Sequence, residues 1–197
     1  MTQAWNDYFN DIKKKLGARE ATFEKIFEYL DGLGHRPVIV ETGTYREENN
    51  YTGDGCSTLL FDHYISDCYG TLYSVDIDPG ACALARRATR HAEIIESDSV
   101  AYLSELSGEC DLLYLDSYNV QNWYNDWEPA AHHLKELFAA KNIITPGTLI
   151  VVDDNIKTPD GVRRGKGRLI YELMDAIGID PLFDSYQIGW IWEEPEG

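Results

Sequence analysis

The most constraining feature of this sequence is a set of five short runs, apolar almost throughout, at residues 37–42, 71–75, 92–95, 111–115 and 148–152. A strand with one wet face alternates polar and apolar residues, whereas a run apolar along its length suits a strand covered on both faces. Between the runs, residues 56–65, 81–90, 100–106 and 129–141 read as helices. Parallel strands need long crossovers, and helices supply them, so this alternation predicts a doubly wound α/β fold with right-handed crossovers.

Two amphipathic helical stretches, residues 5–16 and 20–30, precede the first run and end at the stop signals Gly32 and Gly34. After Asp154 a loop leads to a helix over 167–177. Two extended pieces follow, 182–186 and 188–192, with almost no linker, which predicts antiparallel neighbours. The expectation is therefore a seven-stranded, mostly parallel sheet with a closing antiparallel hairpin and helices on both faces. It forms a single domain: N-terminal helices over 1–34, a core over 35–155 and a C-terminal helix and hairpin over 156–197.

Charge narrows the function. With 17 Lys and Arg against 34 Asp and Glu, the formal net charge is −17. Nucleic acid and an anionic membrane are disfavoured as partners, and a small molecule is favoured. The four cysteines, Cys56, Cys68, Cys82 and Cys110, form no CxxC pair and read as reduced, buried thiols. No apolar run approaches the ~20 residues of a membrane span, and the N-terminus lacks a signal-like apolar region, so a cytoplasmic protein is expected.

In open α/β sheets, ligands bind outside the carboxyl ends of the strands. Here those ends are polar. The first run ends Glu41-Thr42-Gly43-Thr44, and after a polar excursion over 45–52 the chain re-enters a helix as Gly53-Asp54-Gly55-Cys56-Ser57-Thr58. Gly43 lets a ligand lie against bare backbone. Gly55, Cys56 and Ser57 present amides at a helix N-terminus suited to a carboxylate or phosphate, although any tight strand-to-helix turn uses glycine. The second run ends in Asp76, whose carboxylate can accept hydrogen bonds from both hydroxyls of a ribose. Asp78, just before Pro79, reads as an N-cap. Asp98 either bonds an adenine amino group or caps the next helix.

In order, ETGT, GDGCST, YSVDIDP, ESDS, CDLLYLDS and GTLIVVDDN resemble the motif series of class I S-adenosylmethionine-dependent methyltransferases, over roughly residues 37–155. The resemblance implies a Rossmann-like domain with S-adenosylmethionine as cofactor. It implies Glu41, Gly43, Thr44 and the turn of Gly55, Cys56 and Ser57 around the methionine end, Asp76 on the ribose, Asp98 and Ser99 at the adenine, and Asp116 near the methyl group. The insertion at 45–52 departs from the usual compact glycine loop. It leaves the contacts at Thr44 and Gly53 open and is suited to a lid or substrate wall.

The fourth and fifth runs finish in Asp116 and in Asp153-Asp154-Asn155. Neighbouring strands would gather three carboxylates, which repel unless a cation or proton intervenes, and hard oxygen ligands favour magnesium, calcium or manganese. Acids at strand ends also cap turns. The set resembles small-molecule, metal-dependent O-methyltransferases of the catechol, caffeoyl-coenzyme A and antibiotic-sugar types. That resemblance implies Asp116, Asp153 and Asp154 around a divalent cation, with an Asp154/Asn155 register as the alternative. The cation would hold a small-molecule hydroxyl and lower its pKa.

Candidates for removing the hydroxyl proton are Asp116, His132 or His133, and Lys157; adjacent histidines on one helix are not expected to point at one site. Arg163, Arg164, Lys166 and Arg168 read as a solvated helix entrance balancing nearby acids, or alternatively as a grip on an anionic substrate. Tyr118, Trp123, Tyr124 and Trp127 either stack an aromatic or sugar-like acceptor or pack beneath a loop. Trp5, Tyr8 and Phe9 are placed to face a partner chain in a homo-oligomer. Two rival readings stay open: a metal-independent methyltransferase acting on nitrogen or another acceptor, and a dinucleotide enzyme or nucleotide-binding domain of the same architecture. Against the last stands the missing compact G-x-G-x-x-G.

Overall fold

The apolar runs become the strands. In the computed structural model, which describes residues 2–54 and 56–194, the chain forms two compact units, Met1–Asp98 and Ser99–Gly197. The first contains helices α1 (Gln3–Ile12) and α2 (Glu20–Asp31), then β1 (Val38–Thr42), α3 (Ser57–Cys68), β2 (Thr71–Asp76), α4 (Pro79–Ala88) and β3 (Glu93–Glu96). Its strands are parallel, with β2 between β1 and β3. Thr42 pairs with Val75, and Asp76 with Glu96, so the polar carboxyl ends of all three share one edge.

The second unit runs α5 (Ser99–Glu105), β4 (Leu112–Leu115), α6 (Trp127–Ala139), β5 (Leu149–Val152), β6 (Asn155–Lys157), β7 (Arg163–Gly165), α7 (Arg168–Ala176), β8 (Phe183–Asp184) and β9 (Ile188–Ile191). Strands β4 and β5 are parallel, and every residue in both is buried. Each such aliphatic side chain contributes about 1.5–3 kcal/mol on leaving water. Strand β9 pairs antiparallel with both β5 and β8, which is the expected closing hairpin. With β6 and β7 set apart as a separate pair, seven strands match the α/β expectation, three in the first unit and four, β4, β5, β8 and β9, in the second.

Several details differ. The first helix stops at Ile12 and gives way to a 3-10 turn over Lys13–Lys15, while α3 runs on to Cys68. The loop after Asp154 contains a small antiparallel hairpin, β6 with β7, which the glycine-rich, charged sequence did not signal. Trp5 and Phe9 do not face outward. Trp5 is 4% exposed, stacks on Phe9 at 5.4 Å and meets Phe27 and Tyr64 edge-on, so this aromatic face packs within its own chain. The cysteines are all free, three of them buried and Cys68 partly so. Among the described residues, no helix is long and apolar enough to cross a membrane.

Candidate functional site

In the first unit the strand-end carboxyl of Glu41 has no exposed surface. It accepts hydrogen bonds from Ser57 Oγ at 2.5 Å, Thr58 Oγ1 at 2.7 Å and Ser74 Oγ at 2.6 Å. Hydroxyls from the start of α3 and from β2 therefore converge on one carboxyl and tie the strand-to-helix turn to the sheet. Burial pushes the Glu41 pKa up to about 7; the three hydroxyls oppose that rise, and Asp76 adds to it.

Asp76 is half-buried and held by backbone. Its Oδ2 accepts the Thr44 N–H at 3.1 Å and its Oδ1 the Asp78 N–H at 2.8 Å. A carboxylate offers about four acceptor positions, so two amides leave room for two further donors. The Gly43 N–H extends the ladder to Val75 O at 2.8 Å, and Thr44 is buried with its Oγ1 2.9 Å from Ser74 Oγ. Cys56, buried and left-handed at φ 52°, sits immediately before α3. Gly55 lies outside the described residues. Asp78 caps α4 as expected, accepting from the amides of Gly80 and Ala81. Asp98 is exposed.

The 45–52 insertion is stapled down. Arg19, 2% exposed, donates to Thr52 O at 2.9 Å and Gly53 O at 3.3 Å, and Thr52 Oγ1 donates to Lys15 O at 3.0 Å. Tyr45 packs with Cys56, Cys82, Ala85 and Ile94. A lone arginine between helices carries no sequence signal for this role.

In the second unit, parallel pairing sets Leu115 opposite Val152, and the acids that follow them converge. Asp153 is fully buried, whereas the side chains of Asp116 and Asp154 keep 14% and 19% exposure. The residue between them is Lys166. Its Nζ lies 2.5 Å from Asp116 Oδ1, 3.1 Å from Asp116 O and 2.9 Å from Asp154 Oδ2, and the side chain is wholly buried. Burial alone would lower the Lys166 pKa, but the carboxylates of Asp116, Asp154 and Asp153 outweigh it and raise it. Burial, opposed by Lys166 and reinforced by Asp153 and Asp154, holds the Asp116 carboxyl well above the ordinary carboxylate range.

Glycines on either side explain how a lysine reaches this position. A Cβ on Gly165 would lie 2.1 Å from Asp154 O, and one on Gly167 would lie 2.7 Å from Asn155 Oδ1, so only glycine lets the segment press against the β5–β6 turn. Of the basic cluster, Arg163 forms a two-pronged pair with Asp184, and Arg164 and Arg168 pair with buried Asp126. Acids are balanced as expected, yet Lys166 is not solvated. Its signal in the sequence was the Gly-Lys-Gly spacing shortly after the strand-end pair Asp153-Asp154.

The magnesium expectation meets a misfit. Among the described residues, no group of three His, Cys, Asp or Glu is disposed to hold a metal ion, and the charge set among these acids is the chain's own ammonium. The alternative register is also disfavoured. Asn155 Oδ1 accepts the Gly167 N–H at 2.7 Å, and its Nδ2 donates to Val152 O and Asp153 O, so this side chain is occupied with backbone.

His132 and His133 do meet one group, contrary to expectation. Glu136, which the sequence reading overlooked, stands three and four residues on and turns its carboxyl to both, with Oε1 3.3 Å from His132 Nε2 and Oε2 3.8 Å from His133 Nε2. Ser117 Oγ donates to Glu136 Oε1 at 2.6 Å, and Ser99 Oγ lies 3.2 Å from His132 Nε2. Burial lowers the His133 pKa to about 4, so the ring is neutral at pH 7. Its Nδ1 donates to Pro129 O at 2.6 Å, which leaves Nε2 as an unpartnered buried acceptor. Lys157 is exposed on β6, opposite Arg163. Tyr118, Tyr124 and Trp127 are 47%, 80% and 58% exposed, so these aromatics do not pack beneath the loop.

A sequence model described as "Methyltransferase domain" matches residues 52–155, more than half of the chain. None of the curated proteins matches. Among solved structures, the SAH-bound methyltransferase PaMTH1 of Podospora anserina is similar at 17% identity and TM-score 0.60, covering 98% of this chain and 89% of its own. The sugar N-methyltransferase KedS8 of Streptoalloteichus sp ATCC 53650 gives 12% identity and TM-score 0.56, with 96% and 93% covered. Aeropyrum pernix fibrillarin with natively bound S-adenosyl-L-methionine gives 15% identity and TM-score 0.50, with 82% and 71% covered. At these identities the likeness is one of fold.

Proposed function

Because the chain belongs to the methyltransferase domain family, we propose that it transfers a methyl group from S-adenosylmethionine to a hydroxyl of a small molecule. The observation that carries this reading is Asp76, an acid fixed by two backbone amides at a strand end with acceptor capacity left for a ribose. Gly43, Thr44, Gly55, Cys56 and Ser57 take the methionine end, with Ser57 braced by Glu41. Asp98 and Ser99 take the adenine. When bound, S-adenosylmethionine supplies an electrophilic methyl group whose bond to sulfur breaks, leaving its electron pair on sulfur, as the acceptor oxygen bonds to carbon.

Asp116 then accepts the hydroxyl proton, a role suited to a carboxyl whose proton affinity is raised well above normal. It outranks the other candidates: His133 is enclosed, His132 Nε2 is turned to Glu136 and Ser99, and Lys157 stands out on a hairpin. Exposed Tyr118, Tyr124 and Trp127 follow Asp116 in the chain and offer flat faces to an aromatic or sugar-like acceptor. The net charge of −17 supports a small acceptor over nucleic acid. An amine acceptor is the second reading, favoured by the surplus of carboxylates over ammonium at Asp116, Asp153 and Asp154.

Calorimetric titration tests the cofactor assignment. S-adenosylmethionine should bind and NAD should not, and Asp76→Ala should weaken binding by about tenfold or more, the equivalent of one lost charged hydrogen bond. Asp116→Asn should keep that affinity and lose transfer to a panel of phenols, sugars and amines. Tighter binding of NAD than of S-adenosylmethionine would overturn the proposal.

A further inference from the structure

We infer that Lys166 is the resident cation of the Asp116–Asp153–Asp154 cluster, and that it excludes a divalent metal from that position. An ammonium has three N–H donors and no acceptor. Here Nζ has three oxygens within 3.1 Å, Asp116 O, Asp116 Oδ1 and Asp154 Oδ2, so its donors are matched one for one. A magnesium or manganese ion needs near-octahedral oxygen ligands at about 2.0–2.2 Å and would have to share the same two carboxylates with a cation less than 3 Å away from each. A dication on those same carboxylate oxygens would compete with the buried ammonium for them and repel it, so the cluster takes one or the other.

The placement is built by the fold rather than by chance contact. Lys166 is fully buried, the glycines on both sides allow approach that any side chain would block, and its own N–H donates to Asp154 O at 3.1 Å. A flexible surface lysine would move aside for a metal ion. This one is held by backbone on both sides, because Asn155 also receives the Gly167 N–H. The partly exposed edges of Asp116 and Asp154 remain open to a polar group of the acceptor, oriented by carboxylates whose charge Lys166 offsets. The inference rests on the second unit's geometry alone and does not depend on the identity of the methyl donor.

Manganese titration followed by electron paramagnetic resonance, with thermal melting in parallel, tests it. Wild type should leave the manganese spectrum that of the free ion and show no metal-dependent shift in Tm. Lys166→Ala, which removes the ammonium and opens its volume, should bind manganese at least about tenfold more tightly and gain stability on adding it. Lys166→Met keeps the stem and should gain less. Stoichiometric manganese binding by wild type that Asp154→Asn abolishes would overturn the inference, and that arm needs no Lys166 variant to fold. A folded Lys166→Ala protein as indifferent to manganese as wild type would overturn it too.

Discussion

Replacing Glu41 by Gln should change how stability depends on pH, and the size of the change follows from the buried carboxyl. Folding raises the Glu41 pKa from 4.5 to about 7, chiefly through burial. The folded chain therefore holds this proton more tightly than the unfolded chain. Its contribution to stability is complete below about pH 4.5 and is lost as the pH rises through about 7. At about 1.4 kcal/mol per pH unit the full loss is about 3 kcal/mol, of which about 2.5 kcal/mol falls between pH 5 and pH 8. Glutamine keeps the shape, can accept from two of the hydroxyls of Ser57, Thr58 and Ser74 and donate to the third, and does not ionise. Urea unfolding of the ligand-free protein, followed by tryptophan fluorescence at several pH values, gives the two stabilities. Wild type should fall relative to Glu41→Gln by about 2.5 kcal/mol from pH 5 to pH 8, with other titrating groups cancelling in the difference. A difference that stays flat, or that moves in favour of wild type, would refute the claim that burial raises the pKa of this carboxyl.

Two further outcomes are expected. Asn155→Ala strips hydrogen bonds from Gly167, Val152 and Asp153 and should cost about 2–4 kcal/mol in urea unfolding; a loss under about 0.5 kcal/mol would show that water replaces the side chain freely. Gly165→Ala puts a Cβ against Asp154 O at a backbone φ of 110° and should destabilise the chain by about 2 kcal/mol or more, while Gly161→Ala, also at positive φ but in open space, should cost about 1 kcal/mol. Equal losses at the two glycines would show that close approach at Gly165 is not what holds the Lys166 segment.

The strands were legible because their residues answer to one demand. A run such as Leu112–Leu115 or Leu149–Val152, apolar at every position, suits a strand covered on both faces, and its ends follow from the polar residues that close it. Asp78 was legible for the same local reason, since a cap depends on the next three residues alone. The acids at the ends of β1, β2, β4 and β5 were visible as a pattern, and pairing register carried the convergence of Asp116, Asp153 and Asp154.

What tertiary structure alone decided is the partner of each polar group. Lys166 lies twelve residues beyond Asp154 and fifty beyond Asp116, Arg19 more than thirty before Thr52 and Gly53, which it clasps, and Trp5 far from Phe27 and Tyr64. Sequence separation hides such contacts, so a lysine in a basic stretch read as solvated and an aromatic helix face read as an interface. The physical reason is that burial and charge pairing are properties of the folded volume: whether three carboxylates are neutralised by a metal ion or by an ammonium depends on which chain segment comes within 3 Å of them.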